Sequence, residues 1–216
     1  MKKLSTYEIN EAIEQHALWL SDHSTGKKAD FTACDLSAYD FGGKNLSFAN
    51  FSNAILNCCN FKNTNLFRSN LYEVTAKGCC FIKTNMAHAY AHGAIFDASE
   101  FRGAAFMKTN VFSGSFEECF LEKVRLSQND MGYCNFKKAV LKNCFCVGTL
   151  FGRNDFTDAS INEGSFAHAS FFESKVSGAT FENLSFEKTE LEGVNFENVS
   201  FINVKFVDGS IHNCEF

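Results

Sequence analysis

Ten cysteines and six histidines are the residues of this chain with the most distinctive chemistry. Clustered thiolates and imidazoles hold zinc, and paired cysteines form disulfides. The densest cluster is Cys58-Cys59 together with Cys79-Cys80. His16 and Trp19, one helical turn apart, form a second candidate ligand pair. No nucleophile–base pair, phosphate-binding loop, dinucleotide fingerprint or HExxH motif accompanies them. What these side chains can do therefore depends on the elements that position them.

Those elements are set by a period of five. From Phe31 to Phe216 every fifth residue is apolar, 38 positions in all: 20 Phe, 9 Leu, two each of Met, Ala, Val and Ile, and Cys146. In a chain that is 45% hydrophobic, chance gives such a run on the order of once in 10^13. A second column lies two residues earlier, and 33 of its 38 members are Ala, Cys, Thr, Val, Ser or Gly. The exceptions are Tyr39, Lys44, Asn129, Asn154 and Leu184. The frame never slips, and the chain contains no proline, so every backbone amide is available to an inter-strand ladder.

Units such as Ala29-Asp30-Phe31, Cys34-Asp35-Leu36 and Ala49-Asn50-Phe51 resemble the A-(D/N)-(L/F)-x-x unit of the pentapeptide-repeat family. The resemblance covers residues 29–216. It implies an all-β solenoid, a right-handed quadrilateral β-helix of about nine coils with an N-terminal α-helical cap over residues 1–28. The physics agrees, because a lone coil cannot bury its inner face whereas stacked coils share one core. At about 4.8 Å per coil the rod is about 45 Å long.

This frame reassigns the cysteines. Cys34, Cys59, Cys79, Cys119, Cys134, Cys144 and Cys214 fall in the small inward column and Cys146 in the large one, where they act as small hydrophobes. Cys58 and Cys80 point outward, so the cluster is divided and no metal site is expected. His88 and His168 share one wall, and His92 and His212 another, too far apart to cooperate. Inward positions are apolar and outward ones lie on convex walls, so neither a catalytic residue nor a cofactor is expected. No apolar run is long enough for a membrane span, and Met1-Lys2-Lys3 lacks the apolar segment of a secretory signal. A cytoplasmic location is expected, with secretion as an effector left open.

The ends should differ. Ser5 and Glu8 predict a capping box, and Ile9, Ala12, Ile13, His16, Ala17 and Leu20 an amphipathic helix over 6–22, with Gly26 as its stop. His16 and Trp19 are then cap packing rather than ligands. Tyr39 and Lys44 predict an irregular first coil. At the other end Phe201, Phe206, Ile211 and Phe216 would lie bare, and two chains are expected to stack there as a two-fold dimer. The resemblance implies a similar contact, because gyrase-protecting family members dimerise through their C-terminal ends. Some carry a C-terminal helix there, which residues 201–216 lack.

Counting in twenties assigns outward charges to walls. The wall through Phe31 carries Asp30, Glu73, Asp130, Glu173, Glu190 and Glu192 against Arg153. The wall through Leu36 carries Asp35, Asp97, Glu117, Glu118, Asp155, Asp158, Glu197 and Glu215 against Lys77, Lys137, Lys138 and Lys175. The wall through Phe41 balances. The wall through Leu46 is basic, with Arg68, Lys108, Arg125, Lys188 and Lys205 against Glu187 and Asp208, and it aligns Phe67, Met107, Val147 and Val207. The family resemblance implies a DNA-mimicking modulator or protector of bacterial type II topoisomerase (DNA gyrase), the acidic walls being the partner contacts. A 45 Å duplex carries about 26 phosphates; the 14 acids and 5 bases of the two acidic walls supply about a third of that charge. The alternative is a scaffold or secreted effector that binds a protein through Phe67, Arg68, Met107, Lys108 and Val147. Direct nucleic-acid binding is not expected from so small a basic excess.

Overall fold

Each five-residue unit turns the chain through one corner. In the first, Ala29 and Phe31 point inward, Ala33 takes the left-handed region (φ 54°), and the Cys34 amide donates to the Phe31 carbonyl at 3.1 Å. This is a type II turn. Every corner from Ala33 to Asn213 places its equivalent residue at positive φ, mostly without a glycine. A left-handed backbone costs a non-glycine residue roughly 1–2 kcal/mol. The corners hold because that residue's own amide is tied to a neighbouring coil, as Ala33 is to Ser52 at 2.9 Å.

Four corners close a coil. Parallel bridges join Asp30 to Asn50, Asp35 to Ile55, Asp40 to Asn60 and Asn45 to Asn65, a register of twenty residues that continues to Asn195 and Glu215. The computed structural model, which describes residues 1–216, is therefore the expected quadrilateral β-helix. From Phe120 onward the bridges widen into short strands. The Phe41 wall carries a five-stranded parallel sheet from Phe120–Glu122 to Ser200–Ile202. The Phe31 wall carries four strands, Leu150–Gly152, Ser170–Phe172, Glu190–Glu192 and Ser210–His212. No helix is long and apolar enough to cross a membrane.

Stacking builds one core of 55 buried residues. Phenylalanines one coil apart lie nearly parallel, Phe41 on Phe61 at 4.9 Å and Phe61 on Phe81 at 5.0 Å, whereas Phe41 and Phe51 on opposite walls meet edge to face. Each buried ring contributes about 2–3 kcal/mol of transfer free energy. The small column has a polar logic of its own. Thr64, Thr84, Thr109 and Thr149 each donate a hydroxyl at 2.7 Å to the carbonyl of the residue 23 positions earlier. Asn129 and Asn154 instead accept the amides of Thr109 and Cys134, at 3.0 and 2.8 Å.

A helix, α1 (Thr6–Ser21), covers the first coil. The capping box forms as expected, with the Ser5 amide donating to Glu8 at 2.8 Å and the Glu8 amide to Ser5 Oγ at 3.3 Å. Ile9, Ile13 and His16 are buried, but Ala17 faces solvent. Gly26 is not the helix stop, because Asp22 is the C-cap. Gly26 instead lets the chain double back along α1, where a Cβ would lie 2.2 Å from the Gln15 carbonyl oxygen. The first coil is also regular, contrary to expectation. Lys44 makes the usual turn bond at 3.1 Å and faces solvent, and Tyr39 packs its ring 4.5 Å from Phe41 and hydrogen-bonds Asn10 of α1. Large residues fit there because the space below this coil is shared with the helix rather than filled by another coil. Lys2–Lys3 adds a short parallel strand against Cys34–Asp35, an edge contact that the basic residues alone did not signal.

Candidate interaction surfaces

The residues with the sharpest chemistry are held by the fold as packing. Cys59, Cys79, Cys119, Cys134 and Cys144 are buried, and each donates its thiol at 2.9–3.3 Å to the same carbonyl that a threonine in the column would use. Burial pushes all five thiols up to about 12. Cys146 is raised further by the same cause. Cys58, in contrast, is exposed. His16 is fully buried, its Nδ1 accepts the Ala29 amide at 3.1 Å, and burial pushes its pKa down. Its ring stacks on Trp19 at 5.6 Å.

The acidic residues divide into neutralised and free. On the Leu36 wall Asp97 pairs with Lys77 at 3.1 Å, Glu118 with Lys138 at 3.5 Å and Asp155 with Lys137 at 3.8 Å. Glu117 accepts from the Asn135 side chain at 3.1 Å, and exposed Asp158 lies over Gly178. On the Phe31 wall Glu173 pairs with Arg153 at 2.7 Å. Asp30, Glu73, Asp130, Glu190 and Glu192 are exposed there and pair with no cation. Surface pairs add little stability, but they cancel field locally. On the Leu36 wall Asp158, Glu197 and Glu215 are also exposed without a cation, and Asp35 and Glu117 are half-buried, so free negative charge lies on both walls and is more exposed on the Phe31 wall.

The same wall carries an aromatic ladder that residue-by-residue inspection does not reveal. Tyr72 stacks on His92 and His92 on Phe112, each at 5.8 Å and within 8° of parallel, with Tyr90 beside Tyr72 at 5.8 Å. Phe112 meets Tyr133 at 5.2 Å. The Arg153 guanidinium then lies 5.6 Å from the Tyr133 ring centre and 5.3 Å from that of Phe172. Hydrogen bonds to Tyr133 and Glu173 raise the pKa of Arg153. The signal was present in the spacing, since 72, 92, 112 and 172 fall in one column when counted in twenties.

On the basic Leu46 wall, Phe67 is half-buried. It sits between Phe48 at 6.0 Å and His88 at 5.4 Å, with Arg68 5.3 Å over its ring. Trp19 extends this stack onto α1 through Phe48 at 6.3 Å. Met107, Lys108 and Val147 are exposed farther along. In the last coil Phe206, Ile211 and Phe216 are 41, 46 and 69% exposed, and Phe201 is half-buried.

Comparison with known proteins agrees with this geometry. The family model for pentapeptide repeats matches in eight copies, including residues 29–66, 45–81 and 165–203. The quinolone resistance pentapeptide repeat protein QnrB96 of Scandinavium goeteborgense is 31% identical over 129 residues, covering 57% of this chain and 53% of that protein. The chain thus spans about half the length of that curated relative. The full-length structure of QnrB1, a plasmid-mediated fluoroquinolone resistance protein, superposes with a TM-score of 0.51 at 16% identity, over 83% of this chain and 89% of that one. HetL, a pentapeptide repeat protein involved in heterocyst differentiation regulation in the cyanobacterium Nostoc, matches at a TM-score of 0.41 and 16% identity, over 91% and 92% of the two chains.

Proposed function

From the premise that the chain belongs to the pentapeptide-repeat family, we propose that it acts by binding another protein rather than by catalysis. The partner we propose is a bacterial type II topoisomerase, DNA gyrase, modulated or protected by a rod that stands in for duplex DNA. The Phe31 wall carries this reading. Its five free carboxylates, Asp30, Glu73, Asp130, Glu190 and Glu192, are all exposed along a stack in which every corner places the same residue of the unit at positive φ. The likeness to a quinolone resistance protein points the same way. Duplex DNA presents charge on every side, whereas this rod presents it on two adjacent walls, so contact would be made along that side of the rod, with the more exposed carboxylates of the Phe31 wall leading. In a supercoiling assay, purified chain should alter gyrase activity or its sensitivity to a quinolone. No effect at large molar excess would remove this reading.

The last coil is proposed to meet a second copy through Phe201, Phe206, Ile211 and Phe216. Light scattering at micromolar concentration should report a dimer, and a monomer would sink the proposal. A second reading rests on the Trp19–Phe48–Phe67–His88 stack and exposed Met107 and Val147. It makes the Leu46 wall, with Arg68 and Lys108, the docking face of a scaffold or effector. Recovery of a protein partner should then fall when Phe67 and Met107 are replaced by aspartate, and unchanged recovery would count against it.

A further inference from the structure

We propose that a notch at Gly152 on the Phe31 wall receives an aromatic side chain projecting from a basic surface of a partner protein. The inference rests on the protein-binding reading above and adds the recognition chemistry. The column that carries Tyr72, His92 and Phe112 continues through Gly132 and Gly152 before reaching Phe172. The two glycines are not equivalent. Phe112 leans over Gly132, where a Cβ would lie 2.9 Å from its ring, whereas a Cβ on Gly152 would meet nothing within 4 Å. The ladder is therefore interrupted by one open rung.

That rung is a notch of about 270 Å³ walled by Phe112, Tyr133, Leu150 and Phe172. Its walls are mostly apolar yet stand open, with Tyr133 50% and Leu150 52% exposed. At its edge the planar guanidinium of Arg153 is already stacked on Tyr133 and Phe172, and its charge is paired with Glu173. An incoming ring would resume the ladder and gain a cation–π contact from Arg153. The surroundings select the partner. Asp130 borders the notch, Glu192 pairs in register with Phe172, and Glu190 with Ser170. These carboxylates have no cation of their own, so the surface around the anchor must be basic. An aromatic anchor in a pocket rimmed by complementary charge is the usual anatomy of an interface hot spot.

The test uses the full chain and fluorescein-labelled nonapeptides of alternating lysine and serine, with tryptophan or alanine at the centre, followed by anisotropy. The tryptophan peptide should bind about tenfold more tightly than the alanine peptide. Gly152→Trp fills the notch from an outward position where added atoms meet nothing, and it should abolish that preference. Gly152→Ala should keep it. Equal binding of the two peptides, or a preference that survives Gly152→Trp, would overturn the proposal. Gyrase assays separate this outcome from the fate of the topoisomerase reading. A preference that depends on the notch, without any effect on gyrase, removes the reading and keeps the notch. Gyrase modulated equally by wild type and Gly152→Trp keeps the reading and removes the notch.

Discussion

Thr64 and Cys59 occupy the same kind of position and make the same bond, a side-chain donor closing on a carbonyl 23 residues back. The cysteines are thus interchangeable with threonine in shape and hydrogen bonding. Cys119→Thr should change stability by less than about 1 kcal/mol, whereas Thr149→Val should cost about 1 kcal/mol by leaving the Leu126 carbonyl one donor short. Chemical denaturation distinguishes the two. With the buried thiols raised to about 12, a thiol reagent at neutral pH should modify Cys58 rapidly and the core cysteines only on unfolding. Rapid modification of Cys119 in the native chain would contradict this packing. His16 makes a pH prediction. Burial holds its pKa below the 6.5 of a free imidazole, so the folded state prefers the neutral ring. Its contribution is complete above pH 6.5 and is lost as the pH falls through and below that value. Trp19, the sole tryptophan, stacks on His16 and reports unfolding by fluorescence. Denaturant titrations should give a lower midpoint at about pH 5 than at about pH 7, and a fall of the same size in His16→Gln would contradict it.

At the scale of elements, the coil and its cap are joined by close approach. Gly26 has φ 64° and lies against the backbone of α1, so Gly26→Ala should destabilise the cap by about 2 kcal/mol or more. The loss should appear first in helical circular dichroism, with the coils still folded, because stacked repeats respond through their nearest neighbours. Phe136→Ala, which removes a ring stacked at 5.0 and 4.8 Å on Phe116 and Phe156, should cost about 3–5 kcal/mol. Much of this architecture was legible before any coordinates. Strict fivefold spacing fixed which side of every residue faces the core, and the capping box could be read from Ser5 and Glu8. The exceptions were less legible. Tyr39 looked disruptive because the column rule assumes a coil on both sides, and at the first coil α1 takes the place of one. Gly26 looked like a helix stop because a glycine near a helix end usually is one, and close approach cannot be seen in one dimension.

For the whole molecule, wall-by-wall counting found which side is acidic but not which charges are free. Ion pairs between coils, such as Lys77 with Asp97, depend on side-chain reach. The ladder through Tyr72, His92, Phe112 and Phe172 was implicit in the same count, yet the open rung at Gly152 was not, because it depends on where the Phe112 ring leans. Under the proposed function, these features make the Phe31 wall the side expected to face the partner. The most direct test is gyrase supercoiling with two charge-reversed chains. One carries Glu73→Lys, Glu190→Lys and Glu192→Lys on the Phe31 wall, and the other Asp158→Lys, Glu197→Lys and Glu215→Lys on the Leu36 wall. The expected result is that the first chain loses the effect of wild type on gyrase while the second retains most of it. Equal loss in both, or loss only in the second, would contradict the assignment of function to the Phe31 wall.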